Sequence, residues 1–120
     1  MIEGAYLDAN NVFHGFVRAR DGDVTTFDVQ GAGTGPGQGT QAANINARGA
    51  ITGVYVDANN VLHGFLRAAH GAVTTFDVPA AGSTAGLGTT ANCNNASNAI
   101  TGWYTDANGL YHGFLRTGRR

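Results

Sequence analysis

Three histidines, His14, His63 and His112, each stand in the tripeptide His-Gly-Phe at the same place in three copies of one motif. Imidazole ligates zinc and shuttles protons, so the spacing invites a metal or catalytic reading. Zinc needs three or four ligands within about 2 Å of one point, whereas successive copies of a repeat hold equivalent side chains apart. The expectation is a buried histidine hydrogen-bonded to a neighbouring strand, with no metal bound. Six residues before each histidine begins Asp-Ala-Asn, giving Asp8 and Asn10, Asp57 and Asn59, Asp106 and Asn108. Alternate oxygen ligands open calcium loops, but the bidentate acid that completes such a loop is missing. A hairpin turn capped by the Asp side chain accounts for the same residues. On one rim of a repeat array these turns form a first candidate region for a small polar ligand. Tyr6, Tyr55, Tyr104 and Trp103 are aromatic rings that either stack on sugars or pack between repeat units.

A second candidate region is the glycine-rich connection Gly31–Gly39. Its glycine spacing resembles a phosphate loop, but no lysine follows and no helix begins there, which excludes a P-loop or dinucleotide fold. A flexible connection suits the composition. Ser83 and Ser97 lie in loops that vary between copies, and Cys93 replaces Asn44 in one copy only. Catalysis needs a nucleophile, a base and an orienting group at one point. Here each ionisable type is repeated and so distributed, which predicts no catalytic residue, no cofactor and no enzyme. Arg18, Arg67 and Arg116 end strands and are expected to reach solvent or pair with Asp, and Arg119-Arg120 to form a solvated tail.

The elements that position these groups come from a repeat. Tyr6–Arg18 returns as Tyr55–Arg67 and again as Tyr104–Arg116, and Val24–Val29 returns as Val78 closes Val73-Thr-Thr-Phe-Asp-Val. Asp57 follows Asp8 by 49 residues, and Asp106 follows Asp57 by the same 49. This divides one domain, 1–120, into repeats at 4–52 and 53–101 and a partial repeat at 102–120. Turn residues cut the unit into four strands, read in the second copy as 43–46, 50–57, 61–68 and 72–78, with long Gly/Thr/Ala-rich connections at 30–43 and 79–92. Along the third strand Val61, His63 and Phe65 point one way, and Leu62, Gly64 and Leu66 the other. Both faces are largely apolar, so the sheet is expected to be covered on two sides. An all-β fold follows. Four-stranded antiparallel sheets repeating at this length predict β-propeller-type blades, the alternative being a β-solenoid or stacked-sheet array.

Composition narrows the partners. Charged residues are only 12% of the chain and the net charge is −1, so nothing favours nucleic acid or an anionic membrane. One cysteine forbids an internal disulfide. No apolar run is long enough for a membrane-inserted helix, and no signal peptide opens the sequence.

The units Ile-Thr-Gly-x-Tyr-x-Asp-Ala-Asn-x-x-x-His-Gly-Phe-x-Arg and Thr-Thr-Phe-Asp-Val resemble bacterial extracellular HAF-type repeats. Gly15, Gly64 and Gly113 stand where that family's core has alanine. The resemblance implies tandem propeller-like repeats and an extracellular or cell-surface location, and carries no settled activity. Three, four and three strands fall short of a closed ring, which predicts assembly of the chain with itself. Two functions are expected from this reading: a non-enzymatic, self-assembling structural or interaction module, or a multivalent carbohydrate- or small-ligand-binding propeller contacting glycans through the Asp-Ala-Asn turns and the tyrosines.

Overall fold

Each Asp-Ala-Asn segment reverses the chain by the same local chemistry. Asp8 Oδ1 accepts the amides of Asn10 and Val12 at 2.7 and 3.1 Å. Asp57 does the same for Asn59 and Val61, and Asp106 for Asn108 and Leu110. The turn needs one residue at positive φ, supplied by Asn11, Asn60 and Gly109; asparagine and glycine tolerate that conformation best. Asn46 and Asn95 build a second set of such turns, accepting from Arg48 and Ala50 and from Ser97 and Ala99. These asparagine turns join strands that sequence reading left without a specified turn.

A computed structural model describes residues 1–117; the terminal Arg119-Arg120 lies outside them. Ten strands run in order: β1 (Ile2–Leu7), β2 (Phe13–Arg18), β3 (Val24–Phe27), β4 (Gly39–Ile45), β5 (Ile51–Val56), β6 (Leu62–Arg67), β7 (Val73–Phe76), β8 (Gly88–Asn94), β9 (Ile100–Thr105) and β10 (Tyr111–Arg116). They form antiparallel meanders β1–β3, β4–β7 and β8–β10. Parallel pairing joins the meanders at single bridges, Phe13 to Gly39 and Leu62 to Gly88. The result is one mixed sheet of order β1-β2-β4-β5-β6-β8-β9-β10, with β3 and β7 branching from β2 and β6.

This corrects the propeller-type ring of separate four-stranded blades, and equally the solenoid or array of separate sheets. The parallel bridges hydrogen-bond successive meanders into one open sheet whose end strands, β1 and β10, are not paired with each other. The strand expected at 43–46 also changes. It begins at Gly39 and takes in residues assigned to the loop, because Gly39 is where the parallel bridge forms. A bulge between Ala42 and Asn44 recurs between Ala91 and Cys93, bending both strands alike.

The meanders also pack face on face. Val29, Ile51, Tyr55 and Phe65 form the buried core, with Val17, Phe27, Ala32, Ala42 and Ile45 around it. Phe27 and Phe65 meet edge to face at 6.0 Å, and the Arg67 guanidinium lies 4.9 Å from the Phe27 ring centre. Phe76, Phe114 and Arg116 repeat that arrangement at the next joint. Arg67 and Arg116 therefore sit on aromatic faces, where strand-end exposure or pairing with Asp was expected. Buried hydroxyls satisfy the backbone between units: Thr40 Oγ1 accepts the Val29 amide and Thr89 Oγ1 the Val78 amide, both at 3.0 Å. Asn44 donates to Asn94 Oδ1 at 2.7 Å, and Asn46 to Asn98 Oδ1 at 2.8 Å.

Candidate functional site

In the first and middle meanders the hairpin turn and the segment after the last strand, β3 or β7, converge on the histidine. His14 starts from β2, where the pairing of Tyr6 with His14 sets its ring beside the turn. Its Nε2 lies 2.8 Å from Asp8 Oδ2 and its Nδ1 2.7 Å from Asp28 Oδ1. His63 repeats the arrangement with Asp57 at 2.8 Å and Asp77 at 2.6 Å. His112 keeps its contact with Asp106 at 2.8 Å. Tyr6, Tyr55 and Tyr104 stack on these imidazoles with centroids 4.8 to 5.1 Å apart. The histidines are partly exposed, and their partners are carboxylates. That corrects the expectation of a buried histidine bonded to a neighbouring strand: one aspartate lies in the hairpin turn and the other just past the next strand, both outside the ladder.

Carboxylates only accept hydrogen bonds when ionised, so both bonds of His14 and His63 are made only by the doubly protonated imidazolium. Bonds to Asp8 and Asp28 hold the His14 pKa above its ordinary 6.5. For His63, burial pushes the value down, but Asp57 and Asp77 together outweigh it and the net shift is upward. The bond from His14, then the turn amides, draw Asp8 below the ordinary 3.8, and His112 and the Leu110 amide do the same for Asp106. At Asp57 burial opposes the shift, yet the bonds from His63, Val61 and Asn59 prevail and it too is lowered. Burial, then the Asp77 charge, raises Tyr55.

These directions fix a pH profile. A raised histidine contributes stability that is full below pH 6.5 and lost as pH climbs through its folded value. A depressed aspartate contributes stability present above pH 3.8 and lost as pH falls through its folded value. The urea midpoint is therefore expected to peak between about pH 4 and pH 6.5. Replacing both His14 and His63 with Gln flattens the alkaline limb; an unchanged alkaline limb in that variant would mean the clusters are not the cause.

A small cleft opens beside each complete cluster. One, of about 140 Å³, is lined by His14, Asp28, Ala32, Gly33 and Thr34 among others. The other, of about 200 Å³, is lined by His63, Asp77, Ala81, Gly82 and Ser83. Each of these five residues of the second follows its counterpart by 49 positions. The connection is seated by the amide of Gly33 on Val56 O and of Gly82 on Thr105 O. Gln38 fastens the first one further, donating to Asn60 Oδ1 at 3.0 Å and Ala58 O at 3.2 Å.

The structure thus brings together the histidines, part of the glycine-rich connection and the Asp-Ala-Asn turns. Asp8, Asp57 and Asp106 reach the histidines directly. Asn10, Asn59 and Asn108 only complete the turns through their amides. Tyr6 is exposed, Tyr55 is buried against the preceding meander, and Trp103 is exposed on β9. Sequence reading missed Asp28 and Asp77 and set Ser83 aside as a variable loop residue, while Thr34 falls within the candidate connection Gly31–Gly39. The signal available was Asp28 and Asp77 closing the repeated Val-Thr-Thr-Phe-Asp-Val motif. Among the described residues no group of three His, Cys, Asp or Glu is arranged to hold a metal ion, and no helix is long and apolar enough to cross a membrane.

Fold and site define an all-β protein with an open mixed sheet that presents the same Asp–His–Asp cluster beside two equivalent clefts. Scans of protein-family models, curated proteins and solved structures find no match for the chain. The HAF-type resemblance is corrected accordingly, and the extracellular location rested on it alone.

Proposed function

We propose that the protein is a multivalent binding module for small hydroxyl-rich ligands, with single sugar residues as the class that fits best. The observation that carries this reading is the recurrence, 49 residues apart, of one cleft with the same carboxylate, imidazole and hydroxyl groups. Asp28 and Asp77 are mostly exposed and accept hydrogen bonds from ligand hydroxyls. Thr34 and Ser83 both donate and accept. The clefts lie below the roughly 300 Å³ at which drug-sized sites begin, which suits one sugar residue. Two weak equivalent sites on one rigid scaffold gain strength together when the ligand is itself polyvalent.

Binding without turnover suits the same geometry. Ser83 shares a cleft with His63 and Asp77, a trio that elsewhere makes an activated nucleophile. Both ring nitrogens of His63 already face carboxylates, so neither is left to take a proton from a hydroxyl.

Titration calorimetry with a panel of monosaccharides and their polyvalent conjugates tests the reading. Millimolar binding of at least one sugar is expected, strengthened roughly a hundredfold in the conjugate and lost in the Asp28→Asn, Asp77→Asn double variant. No heat from any sugar at millimolar concentration, free or conjugated, would overturn it.

A further inference from the structure

The middle meander has two faces, each covered by a neighbour in its own way. One face carries Ile51, Tyr55, Phe65 and Arg67 and is received by Val17, Phe27 and Val29 of the first meander. The opposite face carries Val54, Leu66 and Phe76 and receives Phe114 and Arg116 of the third. The joint is therefore directional, a donor face entering an acceptor face.

Both kinds of face recur uncovered. The first meander repeats the donor set as Ile2, Tyr6, Phe16 and Arg18. Ile2 is 57% exposed where Ile51 is 0%, and Tyr6 is 42% exposed where Tyr55 is 9%. The third meander repeats the acceptor set with Trp103, Tyr111 and Leu115. Trp103 is 40% exposed where Val54 is 8%. At the internal joints the Phe27 and Phe76 rings lie over Gly15 and Gly64. Over Gly113, among the described residues, only a backbone oxygen lies within 4 Å of where a Cβ would sit. Trp103 pairs with Gly113 across the ladder and offers an aromatic ring at that place.

We propose that the donor face of one chain docks on the acceptor face of a second copy, giving head-to-tail self-association. The occupant is argued from the molecule's own two joints, which show what each residue set accepts. Phe16 of the incoming copy enters the space over Gly113 beside Trp103, and Arg18 lies on an aromatic ring as Arg67 and Arg116 do. Contact of two unlike faces is heterologous, so each chain uses one of each. None of these residues lines either cleft, although Tyr6 stacks on His14 and Leu115 shares a hollow with Asp77; failure of the contact would leave the binding reading untouched.

Trp103 is the single tryptophan and reports the contact directly. Sedimentation velocity across a wide concentration range, with tryptophan emission recorded in parallel, should show mass rising as emission shifts to the blue. Ile2→Asp on the donor face and Leu115→Asp on the acceptor face should each weaken association roughly tenfold or more. The decisive experiment mixes them: each variant retains one intact face, so the mixture forms heterodimers at concentrations where neither variant associates alone. Should an Asp variant lose its far-UV spectrum, Tyr6→Ser and Tyr111→Ser repeat the experiment with milder changes. A monodisperse monomer with unshifted emission at the highest concentration overturns the proposal. So does a mixture of folded variants that fails to pair while the wild type assembles. Emission that answers to added oligosaccharide and not to protein concentration would give the face to a ligand and overturn it likewise.

Discussion

Phe65→Ala is expected to lower the unfolding free energy by about 3–5 kcal/mol. Phe65 is fully buried, at the centre of the core between the first and middle meanders. It meets Phe27 edge to face, and Gly53 beneath it has no side chain to fill the hole. Truncation removes the apolar transfer energy and leaves a cavity, and both terms add. A domain of this size has only about 5–15 kcal/mol in total, so the variant should be near the limit of folding. Urea unfolding followed by far-UV circular dichroism measures the effect. Phe16→Ala is the internal control: it occupies the same repeat position on the uncovered face and should cost much less in dilute protein. Equal losses at the two positions would show that coverage by the neighbouring meander is not the source of Phe65's stabilisation.

Gly88→Ala should be the next most damaging single change, at about 3 kcal/mol or more. Gly88 has φ of +133°, and a Cβ there would lie 2.0 Å from the Leu62 carbonyl oxygen and 2.8 Å from the Leu62 nitrogen. Those are the backbone atoms of the parallel bridge that carries the sheet from the middle meander to the third. The substitution therefore adds backbone strain to a clash that only separation of the strands relieves. Gly86→Ala separates the two effects. It too has positive φ, but nothing lies within 4 Å of its Cβ position, so strain alone remains, at about 1 kcal/mol. The Leu62 amide donates to Leu87 O; its hydrogen exchange should accelerate in Gly88→Ala and not in Gly86→Ala. Gly39 makes the same approach to Phe13 and predicts the same behaviour at the first junction.

Much of this was legible in the residues. The repeat period, the Asx-capped hairpins, the all-β class and the opposed facing of His63 and Gly64 along β6 are local properties. Turn chemistry acts over four residues and side-chain alternation over two, so the order of residues is enough to read them. The start of β4 was misplaced because Gly39 and Gly88 look like loop glycines in sequence. Their role as bridge points depends on strands that lie more than twenty residues away in the chain. Asp28 and Asp77 were passed over for a similar reason, standing fourteen residues from the histidines they hold.

The amino-acid sequence by itself thus determined most of the unit: three of its strands, its Asx-capped hairpins and the Asp, His and aromatic residues its copies share. How units join was decided only by tertiary structure. A ring of separate blades and one open sheet use the same strands with the same inward and outward residues, and local patterning cannot tell them apart. The choice came from two hydrogen-bonded bridges at Gly39 and Gly88, where missing side chains let backbones meet. The site followed from the same packing. Stretches distant in sequence close on His14 and on His63 only once the meander is formed, and the cleft beside each exists only when the next meander seats the connecting loop.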